Sequence, residues 1–172
     1  MQYNLKQMKK VYLIPTMIII CFSILFTQCK KKTTTPVETV DPTISSFLNM
    51  QTHIFKHSCN STGCHNTAAV SNLQHGLALE GSDVWERIVD ITPKNIDAKN
   101  ANLKIVYAGK SDSSFLFHKV NWTANTLYKF GNQMPIGANL LEADEIEFIK
   151  QWINAGAPKT GVVADYKLLH AH

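Results

Sequence analysis

The chain has 172 residues, of which 45% are hydrophobic and 17% are charged, and its formal net charge is +4. This length suits one modest folded domain with an appendage and argues against a second domain. Removing residues 1–28 takes away three of the 17 basic residues and leaves a net charge of about +1, which argues against a nucleic-acid partner.

The first 28 residues predict a signal peptide of the lipoprotein type. Lys9 and Lys10 supply positive charge, and the run from Val11 to Thr27 is apolar apart from Pro15. The chain is therefore expected to leave the cytoplasm. An uncleaved signal anchor is the alternative, because 17 apolar residues are at the short limit for spanning a bilayer.

The end of this run, Leu25-Phe26-Thr27-Gln28-Cys29, resembles the lipobox of bacterial lipoproteins. In that motif the cysteine is lipidated and becomes the first mature residue, so we predict lipidation at Cys29. Residues 29–40 begin with a cysteine, three lysines and three threonines and read as a flexible tether. The resemblance implies attachment to a membrane in the cell envelope, as a periplasmic or outer-membrane lipoprotein.

Residues 41–160 are predicted to form one mainly α-helical domain. The first helix is expected to open near Asp41-Pro42-Thr43 and to end at Cys59, because apolar residues recur at helical intervals. A short helix is expected from Ser82 to Asp90, followed by a surface loop over residues 92–103. Short extended segments are expected at Leu77–Leu79 and at Leu103–Tyr107.

Two more helices are predicted in the second half of the domain. Ser111-Asp112-Ser113-Ser114 is expected to cap a helix that runs to Val120. The strongest helical pattern starts after Leu141, with acidic residues in its first turn, and Gly156 and Pro158 end it. Residues 161–172 are expected to be a loose tail that closes with two solvated histidines.

The stretch Cys59-Asn60-Ser61-Thr62-Gly63-Cys64-His65 is the most informative part of the sequence. Two thiols followed at once by an imidazole form the pattern of covalent c-type haem attachment, in which each thiol binds a vinyl group and the histidine ligates the iron. Four residues separate the cysteines where two are usual. Because Asn, Ser, Thr and Gly favour turns, the extra residues can bulge outward.

Two other interpretations of the cysteine pair stay open. Cys59 and Cys64 are the only thiols outside the signal and the lipidation position, so a disulfide would be natural in an oxidising compartment. A disulfide does not account for the adjacent His65. A zinc site would need a fourth ligand, and the sequence has no second Cys/His pair at zinc spacing.

An electron-carrying haem needs a second axial ligand, and Met134 is the best candidate. Methionine sulfur is a soft donor, and Met134 lies in a loop before the last helix with Pro135 behind it. Met50 lies too close to the cysteines along the chain to reach the opposite face. The competing ligands are histidines, which would give a lower reduction potential: His53, His57, His75 and His118.

The order of these features resembles the class I cytochrome c domain, and more closely the planctomycete-type cytochrome c domains. The similarity spans residues 44–158. The matching blocks are Ile54-Phe55, Cys59, Cys64-His65, Gly76–Leu79, Gly109–Leu116, Gln133-Met134-Pro135 and Ile149–Ala157. The chain departs from the family pattern in its wider cysteine spacing and in Ile136, where such domains often place a second proline.

The resemblance implies a small cytochrome c-like helical domain around one covalently bound haem c. It implies thioethers at Cys59 and Cys64, iron ligation by His65 and Met134, and a last helix that packs across the first. The implied function is single-electron transfer with redox protein partners, without enzymatic activity. A haem-free interaction module with a Cys59–Cys64 disulfide, and a haem enzyme or sensor with an open sixth position, are the alternatives.

Overall fold

The computed structural model describes residues 39–61, 64–67, 76–121, 129–136 and 139–170. The chain divides into two units, 1–36 and 37–172. The predicted signal peptide, Cys29 and the tether up to residue 38 lie outside the described residues. Within the described ranges, no helix is long and apolar enough to span a membrane.

The first helix begins as α1, Ser46–Met50, and continues without a break as a π-helix over Gln51–Cys59. The Ser45 hydroxyl caps it by accepting a hydrogen bond from the Leu48 amide at 3.2 Å. The predicted start at Asp41 is wrong, because the Asp41 carboxylate closes a local turn by accepting from the Thr43 amide at 2.8 Å. The predicted end at Cys59 is confirmed.

Four further α-helices follow in the described residues. The predicted loop over 92–103 is wrong in part, because the Asn95 side chain caps a short helix there by accepting from the Ala98 amide at 2.9 Å. Single 3₁₀ turns lie at Ser111–Ser113 and Tyr166–Leu168. The helices are α2, Val84–Ile88; α3, Ile96–Asn100; α4, Phe115–Val120; and α5, Ala143–Asn154.

Extended structure is minor in the part of the chain that the structure describes. Val89 pairs with Val106, and Lys104 pairs with Ser114, each through an isolated parallel bridge. One residue of each bridge, Lys104 or Val106, lies in the predicted extended segment 103–107. The described residues are therefore mainly helical, as the sequence predicted.

The core forms where α5 packs on α1. Trp152 and Phe47 stack with their ring centroids 5.6 Å apart, and Ile149 and Ile153 are fully buried beside them. Glu142 and Glu145 form a capping box at the start of α5, in which the Glu145 carboxylate accepts from the Glu142 amide at 2.9 Å. The acidic first turn thus fixes where this helix begins.

The segment after residue 160 packs against the domain rather than extending away from it. The Ser46 hydroxyl accepts hydrogen bonds from the Val163 and Ala164 amides at 2.9 and 3.0 Å. Ala164 and Leu169 are buried in the core, and His170 is exposed at the end of the described chain. This segment covers the first turn of α1.

Candidate functional site

The π-helix ends at Cys59, and the next residue, Asn60, reaches the segment of residues 77–80. The Asn60 amide donates to the Phe55 carbonyl at 2.9 Å and so completes the wide helical turn. The Asn60 side chain reaches across to the Leu79 carbonyl at 3.0 Å. The end of the helix is therefore tied to residues that are distant in sequence, and π-helical turns are frequent at functional sites.

Two backbone hydrogen bonds close the loop from Cys59 to His65, although four residues separate the two cysteines. The Cys64 amide donates to the Ser61 carbonyl at 2.9 Å, and the His65 amide donates to the Cys59 carbonyl at 3.0 Å. The Ser61 hydroxyl lies 3.1 Å from the Cys64 sulfur. Despite the wider spacing, the backbone of His65 lies beside that of Cys59. The predicted outward bulge includes residues 62 and 63, which lie outside the described residues.

Both cysteines are free thiols, and Cys59 is partly buried against the core. Burial raises the pKa of Cys59 to about 12, and the neighbouring Cys64 and Glu145 act in the same direction. The Cys59 thiol therefore stays protonated at neutral pH. A protonated thiol is a poor nucleophile for disulfide exchange, so Cys59 lacks the lowered pKa typical of redox-active cysteines.

A hydrogen bond to the backbone orients the His65 ring. Its Nδ1 lies 2.9 Å from the Leu77 carbonyl oxygen. Because a carbonyl only accepts, Nδ1 must carry the proton, and Nε2 is left with an available lone pair. Histidines that ligate metals are held in this tautomer by such backbone contacts. The His65 carbonyl also accepts from the Leu79 amide at 2.7 Å, which fixes the backbone as well.

Arg87 of α2 supports the other edge of the segment that holds His65. Its Nε donates to the Ala78 carbonyl at 3.2 Å and its Nη2 to the Glu80 carbonyl at 2.5 Å. The carbonyls of Leu77 and Leu79 thus meet the His65 and Asn60 side chains, whereas those of Ala78 and Glu80 meet Arg87. The segment is thus held between the cysteine loop and α2.

Met134 lies in the loop that precedes α5 and is partly buried. Its amide donates to the Lys119 carbonyl at 2.8 Å, and its peptide bond to Pro135 is cis. The Lys119 ammonium group donates to two carbonyls of the same loop, and burial lowers the pKa of this lysine. These described contacts attach Met134 to α4, whereas His65 contacts Cys59, Leu77 and Leu79.

The structure separates the competing ligands. Met50 and His53 are almost fully buried in or beside the core, whereas His57 is exposed. His118 Nε2 donates to the Asp112 carbonyl at 2.8 Å, and its buried Nδ1 has no hydrogen-bond partner in the described part of the chain. His75 lies outside the described residues. No group of three or more Cys, His, Asp or Glu side chains within the described ranges is placed to hold a metal ion.

The residue set fits a covalently attached haem in two respects. Both thiols are free and lie in one loop, as addition to two vinyl groups requires, and the neutral His65 ring has on Nε2 the lone pair that iron needs. The sequence analysis did not identify Arg87, Lys119 or Asn60 as residues that support the site. Each of them donates hydrogen bonds from its side chain to backbone carbonyls of segments that are distant in sequence.

Comparison with known proteins gives no relative for this chain. No family model, no curated protein and no solved structure matches it.

Proposed function

We propose that the protein is an extracytoplasmic, lipid-anchored monohaem c-type cytochrome with a cytochrome c-like fold, which transfers single electrons to redox protein partners. The observation that carries the proposal is the hydrogen bond from His65 Nδ1 to the Leu77 carbonyl beside two free cysteines. This contact sets the tautomer that an axial histidine needs. The mainly helical fold is consistent with such a domain.

The chain's own residues would hold the cofactor by covalent and axial bonds. Cys59 and Cys64 would hold the haem through two thioether bonds to its vinyl groups, an addition that uses two reduced thiols, moves their hydrogens to the vinyl carbons and needs no oxidant. His65 Nε2 and the Met134 sulfur would bind the iron. The haem supplies one-electron chemistry between ferric and ferrous iron.

The protein's role in this proposal is that of a carrier and not of an enzyme. A second firm axial ligand would exclude exogenous molecules from the iron, and its softness would favour the ferrous state. The near-neutral mature charge and the tether support a membrane-attached protein that meets protein partners rather than nucleic acid.

The visible spectrum of protein made in a host with a c-type maturation system tests the proposal. We expect a haem that resists extraction from denatured protein, together with a methionine-to-iron charge-transfer band in the ferric state. Cys59→Ala should impair covalent attachment. Met134→Ala should abolish the charge-transfer band while the haem stays attached, and an unchanged spectrum would refute the distal assignment.

One alternative uses the same two cysteines without haem. Cys59 and Cys64 lie in one short loop, in which the His65 amide donates to the Cys59 carbonyl at 3.0 Å, and a disulfide between them would give a haem-free interaction module. Colourless protein with the Cys59–Cys64 peptide in oxidised form would favour that module. A haem without the methionine band would favour an enzyme or sensor with an open sixth position.

A further inference from the structure

Lys119, on α4, contacts the loop before α5 at three points. Its backbone carbonyl accepts from the Met134 amide at 2.8 Å. Its ammonium group donates to the Phe130 carbonyl at 3.3 Å and to the Asn132 carbonyl. One residue therefore fixes the backbone of the stretch from 130 to 134 at its beginning, its middle and its end.

The Lys119 ammonium group also lies near an aromatic pair that joins α4 to the same loop. Lys119 is partly buried, and its Nζ lies 5.8 Å from the centroid of the Phe115 ring. Phe115 meets the buried Phe130 edge to face, with centroids 6.0 Å apart. The aromatic pair thus anchors the loop on its apolar side, while the lysine anchors its carbonyl groups.

We propose that Lys119 is a positioning residue for Met134, which keeps the methionine-bearing loop in the conformation that allows its sulfur to ligate the haem iron. The inference rests on the proposed function. The side chain and the backbone of Lys119 make separate contributions, because the backbone bond to Met134 survives any substitution at this position. Replacing the side chain therefore removes its two bonds to the loop carbonyls and its contact with the Phe115 ring, but not the backbone bond.

The test compares Lys119→Met with Lys129→Met in the haem-loaded protein. Lys129 lies on the same loop, is exposed, and stacks over Phe130 from 5.3 Å, so both variants lose one positive charge near the same site. Imidazole competes with methionine for the sixth position and serves as the probe. We expect its apparent Kd to fall about tenfold in Lys119→Met, which corresponds to about 1.4 kcal/mol, and to change less than about twofold in Lys129→Met.

Two more measurements separate positioning from a general loss of structure. Lys119→Arg keeps donors for both carbonyls, so we expect it to retain the charge-transfer band and the wild-type imidazole affinity. In protein without haem, the Met134 amide should exchange its hydrogen faster in Lys119→Met than in Lys129→Met. This second comparison also applies if the haem-loaded Lys119→Met protein does not accumulate.

The outcomes distinguish this inference from the proposed function. A wild-type protein with the charge-transfer band, and a Lys119→Met protein with the same band, imidazole affinity and Met134 exchange, would overturn the role of Lys119 alone. A wild-type protein that binds haem without that band, or binds none, would overturn both. Weaker ligation in Lys119→Met, together with rescue by Lys119→Arg, supports the inference.

Discussion

Arg87 is expected to stabilise the segment that orients His65, and replacing it with methionine tests this. Arg87→Met keeps most of the aliphatic bulk but removes both donors to the Ala78 and Glu80 carbonyls. Hydrogen bonds from a charged donor contribute about 1.5–3 kcal/mol each. Because 30% of the side chain is exposed, water can replace part of this contribution, and we expect a total loss of about 2 kcal/mol.

Urea unfolding measures this loss directly. With a slope of about 1.5 kcal/mol per molar urea, a loss of about 2 kcal/mol lowers the midpoint by about 1.3 M. Asp83→Asn is the matched control, since Asp83 forms an exposed ion pair with Arg87 and contacts neither carbonyl bond. We expect Asp83→Asn to leave the midpoint nearly unchanged.

The two variants together show which contact of Arg87 matters. If Arg87→Met unfolds at the wild-type midpoint, the carbonyl contacts do not stabilise the segment. If Asp83→Asn shifts the midpoint as far as Arg87→Met, the ion pair and not the carbonyl contacts accounts for the effect. Either result would refute the conclusion that Arg87 holds the 77–80 segment through its carbonyl groups.

Three other predictions concern the stability that the core provides, the loss of stability at acid pH and the reactivity of the two thiols. Trp152→Phe removes a buried hydrogen bond to the Pro158 carbonyl and leaves unfilled volume, so we expect a loss of about 2 kcal/mol in urea unfolding, and a wild-type midpoint would contradict it. Hydrogen bonds from Thr67 lower the pKa of Glu80, so the stability that they give is present above the ordinary carboxyl pKa and is lost as the pH falls through the lowered pKa. Glu80→Gln should therefore lose less stability than the wild type between pH 7 and pH 3. An equal loss in the two proteins would refute this. In protein made without haem, iodoacetamide at pH 8 should modify Cys64 before Cys59, because the Cys59 thiol stays protonated. Peptide mass spectrometry measures both modifications, and a Cys59 that reacts as fast as Cys64 would refute this.

Hydrophobic periodicity predicted the last helix well, and local side-chain chemistry explains where other predictions failed. The apolar face that includes Ile149, Trp152 and Ile153 is buried, as a helical pattern implies. The start of the first helix was misplaced because both Asp41 and Ser45 are good capping residues, and the fold uses the second. The π-helical continuation follows the same apolar pattern as an α-helix, so that pattern does not reveal it.

The residues of the candidate site also differ in whether the sequence could predict them. The cysteines and His65 were predictable because they are close in sequence and carry recognisable chemistry. The contacts that orient them were not, because His65 bonds the Leu77 carbonyl and Arg87 bonds the Ala78 carbonyl. Every residue has such a carbonyl, and only the fold determines which of them meet.

The central claim is that Cys59 and Cys64 bind one haem through two thioether bonds. Mass spectrometry of the peptide that contains residues 59–65, from protein made in a host that attaches haem to a control cytochrome, tests it most directly. We expect this peptide to carry the mass of one haem, with no free thiol left on either cysteine. An unmodified or disulfide-linked peptide from that host would contradict the claim.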